Sequence, residues 1–402
     1  MKELKVTLNH FGEARHVGIL AKKDRDIFFE YDKEFLNSEI SISPYSLPLS
    51  KGLKKFKNYN FSDLFGGLSD SLPDGWGLLL MDRWLKQCGY HYEGLTSFER
   101  LSLIGKSGMG ALEYYPVDPQ GIKEVEEIDL ALMSKNALAL YSGESDFVIE
   151  KLANAGGSPG GARPKIIVTE KGDGSFVTDH GEYELGDKHW LIKFDVSKDF
   201  EDFARVEYFY SLLAKKCGID MPETKLFSDL KGKKYFGVER FDRDGRNKIH
   251  THTFGSLIES NFRIPDQEYK NLFQVTIDLT KNLSEAYKVF RLMVFNHLST
   301  NQDDHVKNFS FILGEDFRWR FAPAYDLTPS FGMNNWQSMT ISKKGLGIKD
   351  EDYLVEASKA GLNKRKCLDV IAEVKDGISN FSEIDVDLSS IDKKRVRSYL
   401  RI

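Results

Sequence analysis

The spacing of apolar residues changes several times along the chain, and each change predicts an element. In KVTLNH, HVGILAKK and DIFFEYD the apolar side chains recur at about every second position, the period of a half-buried strand. Between 71 and 89 the period lengthens to that of a helix. Leu79, Leu80, Trp84 and Leu85 share a face there, and Asp74 stands at the N-cap. Residues 98–117 read as a helix, a glycine-rich turn and a strand. Two prolines and a charge cluster in PVDPQGIKEVEEIDL mark a boundary near 118–125.

Strand patterns return in RPKIIVTEK, GSFVTD and HWLIKFDV, followed by a helix over 201–217 and a hairpin in ETKLFSDLKGKKYFGVERFD. From about 253 the pattern is helical, most clearly over 284–301, and one hairpin interrupts it at 308–323. This order predicts an α+β chain in three parts. Residues 1–120 form a small N-terminal α/β subdomain, 121–250 a strand-rich lobe and 251–402 an all-helical C-terminal lobe. A cleft between the two lobes is the expected ligand site.

Composition narrows the class. The chain has 402 residues, 41% hydrophobic and 29% charged, which describes an ordinary globular protein. Lys and Arg number 56 against 61 Asp and Glu, a net charge of -5, which excludes a globally basic nucleic-acid binder. Three scattered cysteines, Cys88, Cys217 and Cys367, argue against disulfides or a zinc module. No apolar run is long enough for a signal peptide or a membrane span, so a cytoplasmic location without membrane contact is expected.

The chemistry concentrates in NQDDHVKNFSFILGEDFRWRFAPAYDLTPS. Asp303 precedes Asn308 by five residues, the spacing of base and metal ligand in a kinase catalytic loop. The following hairpin returns Asp326 toward Asn308, and a carboxylate beside a carboxamide suits Mg²⁺. Asp304 competes with Asp303 for the base, and the five-residue spacing selects Asp303. An Asp- and Asn-rich loop is also ordinary turn chemistry, so the spacing alone is weak.

Lys193 closes an apolar strand and needs an anionic partner; the next helix offers Glu207, with Glu201 as a second choice. A lysine on an edge strand that reaches water explains the same pattern. In GGSPGGARPK, Gly160 and Gly161 give backbone N–H groups freedom to wrap a phosphate, and Arg163 and Lys165 add charge. No Gly-Lys-Ser/Thr closes that loop, so it is not a Walker A motif. Glycine-rich loop, strand lysine, helix glutamate, D-x-x-x-x-N and a returning aspartate in this order predict ATP and Mg²⁺ as cofactors.

With these motifs the sequence resembles the HipA family of bacterial serine/threonine kinases, toxins of HipBA-type toxin–antitoxin modules, over nearly its whole length. DDHVKNFSF is similar to the family's D-x-H-x-K-N-F-S loop, and APAYDLTPS to its Y-D metal segment. LPDGWG, GMGAL and GVERFDR resemble further family segments. HTHTFGSL lacks an acidic residue that many relatives carry before the Phe. The resemblance implies a bilobal protein-kinase-like fold of the phosphatidylinositol-kinase type with an added N-terminal domain. It implies Lys193 as the ATP-phosphate lysine, Asp303 as the base, Asn308 and Asp326 as magnesium ligands, and autophosphorylation at Ser158.

It further implies a protein substrate, with aminoacyl-tRNA synthetases the best-known targets in the family. A small helix-turn-helix antitoxin of HipB type is the implied partner, and operator DNA would be bound mainly through it. Two other classes remain open on sequence alone: a small-molecule phosphotransferase and a catalytically silent nucleotide-binding co-repressor subunit.

Overall fold

The computed structural model describes residues 1–90, 95–118, 125–156, 160–179 and 183–401. The alternating N-terminal segments are β1 (Lys2–His10), β2 (Glu13–Lys23) and β3 (Asp26–Tyr31). With β4 (Lys54–Lys55) and β5 (Leu112–Tyr115) they form a sheet of order β4-β3-β2-β1-β5. Alternation sets its faces: Leu4, Val6 and Leu8 are buried while Lys5 is exposed. All its pairings are antiparallel, so the part expected to be α/β is built as α+β.

A second antiparallel sheet joins β6 (Lys165–Glu170), β7 (Phe176–Thr178), β8 (Lys188–Lys193), β9 (Thr224–Ser228) and β10 (Lys234–Glu239) in the order β7-β6-β8-β10-β9. Ile166, Val168, Trp190 and Ile192 pack with Met133, Leu140 and Leu152 from the helices before β6. Trp76 and Leu80 join the same core. The helix Gly75–Gln87 therefore belongs, by packing, to the second sheet although it lies among the first 120 residues.

Past a short hairpin of β11 (Arg243–Asp244) and β12 (Asn247–Lys248), a third sheet holds β13 (Thr251–Thr253), β14 (Ser310–Leu313) and β15 (Trp319–Phe321) in that order. The C-terminal part is thus not all-helical. An isolated two-stranded hairpin is marginal in water, and β13 supplies the third strand from more than fifty residues upstream. Helices Tyr269–Thr280, Leu283–Leu298, Asp350–Lys359, Lys364–Ser379 and Ser390–Tyr399 complete this half. Leu283–Leu298 is buried without a break from Leu292 to Leu298, so the loop that leaves its C-terminus starts from a fixed point. Among the described residues no helix is long and apolar enough to cross a membrane.

Buried polar contacts join the N-terminal sheet to the rest. Lys248 Nζ meets Glu113 Oε1 at 2.8 Å, and Gly110 N–H donates to Asp242 Oδ2 at 2.8 Å. Arg243 Nη1 donates to the Gly110 carbonyl at 3.0 Å, which seats the GMGAL turn against the RFDR strand end. Asp70 accepts from Thr253 N, Thr253 Oγ1 and Ser256 Oγ, fixing the start of the helix Phe254–Leu257.

Candidate active site

Lys193, the last residue of β8, is the centre of the site. Its ammonium lies 2.8 Å from Glu207 Oε1, on the helix Phe203–Lys216, and 2.6 Å from Asp326 Oδ1. Burial alone would lower the lysine pKa, but the Asp326 and Glu207 carboxylates overcome it and hold the value above the ordinary lysine range. Lys193 in turn holds the Asp326 carboxyl well below the usual carboxylate range, against the cost of burial. Asp326 still reaches solvent, with 43% of its side chain exposed. Its backbone is left-handed at φ +54°, a conformation that aspartate tolerates better than bulkier residues.

Tyr325 places Asp326. Its hydroxyl donates to the Lys307 carbonyl at 2.6 Å and lies 2.6 Å from Ser310 Oγ, so the segment after β15 is fastened to the 303–308 loop. In that loop Asn308 Nδ2 donates to the Asp303 carbonyl at 2.7 Å. This orients the carboxamide and leaves Oδ1 as its acceptor atom. The Asp326 carboxylate and the Asn308 carboxamide oxygen are hard oxygen donors of the kind that suits Mg²⁺ with phosphates and water completing its shell. Among the described residues no cluster of three or more His, Cys, Asp or Glu side chains offers a self-sufficient metal cage.

The structure separates Asp303 from Asp304. Asp304 is fully buried and accepts from Tyr269 Oη at 2.7 Å, Gln337 Nε2 at 3.0 Å and Ser338 N at 2.9 Å. Burial pushes its pKa up to about 7 against these donors. Asp303 instead faces outward, its backbone N–H held by Ser330 Oγ at 3.2 Å. Partial burial raises its pKa, His305 works against that, and the Asp326 carboxylate raises it further. His305 braces the turn: its Nδ1 accepts from Lys307 N at 3.3 Å.

Arg163 and Lys165 complete the positive wall. Lys165 on β6 pairs in register with Lys193 on β8, which puts two buried lysines on one face of the sheet. Its ammonium donates to the Gly160 carbonyl at 2.7 Å. Burial lowers its pKa to about 8, and the Lys193 charge contributes. Arg163 is exposed and lies over the Phe203 ring at 4.5 Å. Gly160 and Gly161 lie beside the Lys165 ammonium, but the Gly161 N–H donates to the Asp74 carboxylate. Ser158 lies outside the described residues.

One pH effect follows from Lys165. An anion held by it favours the protonated amine, so the affinity of this wall for a phosphate-bearing anion should fall as pH rises through about 8, by up to about tenfold per pH unit. Lys165→Met should remove that dependence. Equal slopes for the two proteins in titrations from pH 7 to 9.5 would exclude this role.

Sequence reasoning missed Asp74, Lys307, Tyr325 and Ser330. Asp74 does occupy the N-cap position of Gly75–Gln87, but its side chain makes no capping bond. It points across the cleft to Gly161 and Lys307 instead. His250 and His252, a conceivable metal pair, each engage a protein partner through the imidazole. His250 Nε2 lies 2.7 Å from the Ile42 carbonyl, and His252 sits between Asp70 and Ser43 at 2.7 Å from each. That Ser43–His252–Asp70 line has the connectivity of a hydrolytic triad, yet Ser43 and His252 are buried beyond the reach of substrate.

The fold has a counterpart of known structure. The chain matches HipA in a Shewanella oneidensis MR-1 toxin–antitoxin complex of HipA, HipB and operator DNA. The TM-score is 0.72 at 17% identity, covering 98% of this chain and 94% of that one. Residues 157–380 match the model of the HipA-like C-terminal domain and residues 6–115 that of the HipA N-terminal domain. The chain belongs to the HipA family. Y4dM of Sinorhizobium fredii, provisionally named a kinase, is 23% identical over 205 residues, 46% of this chain and 49% of its own length. A Haemophilus influenzae protein named in the same provisional way is 26% identical over 202 residues, 46% of this chain and 56% of its own. The matched stretch thus spans about half the length of each of these curated relatives.

Proposed function

We propose that this chain is an ATP- and Mg²⁺-dependent serine/threonine protein kinase, the toxin of a toxin–antitoxin module. The observation that carries this reading is Lys193, which meets Glu207 at 2.8 Å and Asp326 at 2.6 Å, with Asp303 near enough to feel the Asp326 charge. A buried ammonium shared by two carboxylates, one of them solvent-facing, is set up to exchange part of its anionic partnership for phosphate. The second and third sheets, with the helices around them, are then the two lobes of a kinase-like fold. We assign 1–120 to the N-terminal subdomain, 121–250 to the nucleotide-binding lobe and 251–402 to the catalytic lobe.

In this reading Lys193, Lys165 and Arg163 hold the phosphates, and Asn308 and Asp326 hold Mg²⁺. The bound ion supplies neutralisation of charge on the transferring group. Asp303 orients the acceptor hydroxyl and takes its proton, a task helped by its raised pKa. Autophosphorylation at Ser158 would put a dianion into the glycine-rich loop and switch the enzyme off. A HipB-type antitoxin, operator DNA bound mainly through it, a protein target such as an aminoacyl-tRNA synthetase and a cytoplasmic setting complete the proposal.

Incubation with ATP labelled at the γ-phosphate tests it. With Mg²⁺ and a cell extract, label is expected on serine or threonine of a protein, and a chelator should abolish it. Transfer to small molecules alone would overturn the protein-kinase assignment, and no transfer would overturn the whole reading. Mass spectrometry of the same sample should find phosphate on Ser158; its absence would remove the autoregulatory part.

A further inference from the structure

Asp74 stands at the start of the helix Gly75–Gln87, which packs on the second sheet, and its carboxylate reaches the two loops that phosphotransfer must bring together. One oxygen accepts from the Gly161 N–H of the glycine-rich loop. The other lies 2.7 Å from Lys307 Nζ, in the loop that carries Asp303 and Asn308. Neither partner is close in sequence, at 87 and 233 residues away. Both side chains of the ion pair are mostly shielded, 18% exposed for Asp74 and 26% for Lys307, so solvent weakens it less than a surface pair.

The surrounding backbone is shaped for this contact. Trp76 N–H donates to the Gly161 carbonyl at 2.9 Å, and Trp76 Nε1 donates to the Lys165 carbonyl at 2.9 Å. Gly75 approaches so closely that a Cβ there would stand 2.6 Å from the Gly161 oxygen. Gly161 itself is left-handed at φ +92°, where a side chain would also collide with the Lys165 ammonium. The Asp-Gly-Trp turn at 74–76 therefore grips the chain entering β6, and Asp74 extends the grip to the 303–308 loop.

We propose that Asp74 is a positioning residue: it sets the glycine-rich loop and Lys307 in register, so that the N-terminal helix start completes the phosphotransfer site. This inference rests on the kinase reading of the cleft. Its chemistry is geometric, because a carboxylate bridging an amide and an ammonium transfers nothing and fixes both.

The test uses the full chain as wild type, Asp74→Ala, Asp74→Asn, Lys307→Met and the double variant Asp74→Ala/Lys307→Met. Asp74→Asn keeps size and an oxygen for Gly161 N–H, which guards against a folding defect. Asp74→Ala should lower kcat about a hundredfold with a smaller change in KM for ATP. The double variant should be no worse than the poorer single variant. Hydrogen exchange of the peptide containing residues 160–165 should quicken in Asp74→Ala and, to a lesser degree, in Asp74→Asn. Unchanged exchange, unchanged kcat in both Asp74 variants, or additive losses in the double variant would each overturn the clamp while an active wild type keeps the kinase reading. A wild type that transfers no phosphate would overturn that reading and the positioning role with it.

Discussion

Asp303→Asn is expected to lower phosphotransfer by about a thousandfold, the range of a lost general base, and to leave the fold unchanged. The carboxylate faces solvent and makes none of the buried bonds that hold the loop, whose backbone is anchored through Ser330 and Asn308. The melting temperature should therefore stay close to wild type, and ATP affinity should change little because the cationic wall is intact. Asp304→Ala supplies the opposite pattern one residue away. It would strand Tyr269 Oη, Gln337 Nε2 and Ser338 N without their acceptor and cost about 2–3 kcal/mol of stability. A kinetic assay with a thermal melt on both variants decides the register. Near-wild-type turnover in Asp303→Asn would end its assignment as the base.

Which parts of this site were legible in the sequence follows from how each contact is made. Asp303 and Asn308 share one loop, and their five-residue spacing is itself the geometry, since the carboxamide bonds back to the Asp303 carbonyl. Lys193 and Glu207 sit on consecutive elements, fourteen residues apart, so a buried lysine searching for a carboxylate finds it in the next helix. The hairpin at 308–323 was visible in its turn, but not the partner strand β13, because three residues of THT carry too little alternation to read. Asp74 stands at the N-cap as its sequence position indicates, but where its side chain goes was not legible, for a physical reason. An aspartate before a helix is ordinarily a cap, and only tertiary structure shows that this one turns away to Gly161 and Lys307. The choice between Asp303 and Asp304 rested on spacing, and burial now distinguishes the two side chains.

Lys193→Met should have the largest effect on the molecule as a whole. It leaves Glu207, 5% exposed, and Asp326 facing one another with no cation between them. Breaking a buried pair by removing one partner costs about 3–5 kcal/mol, and the low end applies because Asp326 is partly open to solvent. The pH dependence has a definite sign. Asp326, with its folded pKa depressed, contributes stability above its unfolded pKa of about 3.9, and that contribution is lost as pH falls through the folded value. Lys193, with its folded pKa raised, contributes fully below about 10.4, and that is lost as pH rises through the folded value. The gap between wild type and Lys193→Met in urea unfolding should thus be widest from about pH 4 to pH 10 and narrow on the acid side, where the Asp326 carboxyl protonates. ATP affinity should fall about 10- to 100-fold at pH 7, the worth of a charge-assisted contact. A gap that stays constant down to pH 3 would show that the lysine stabilises through its methylene stem and not through its two carboxylates.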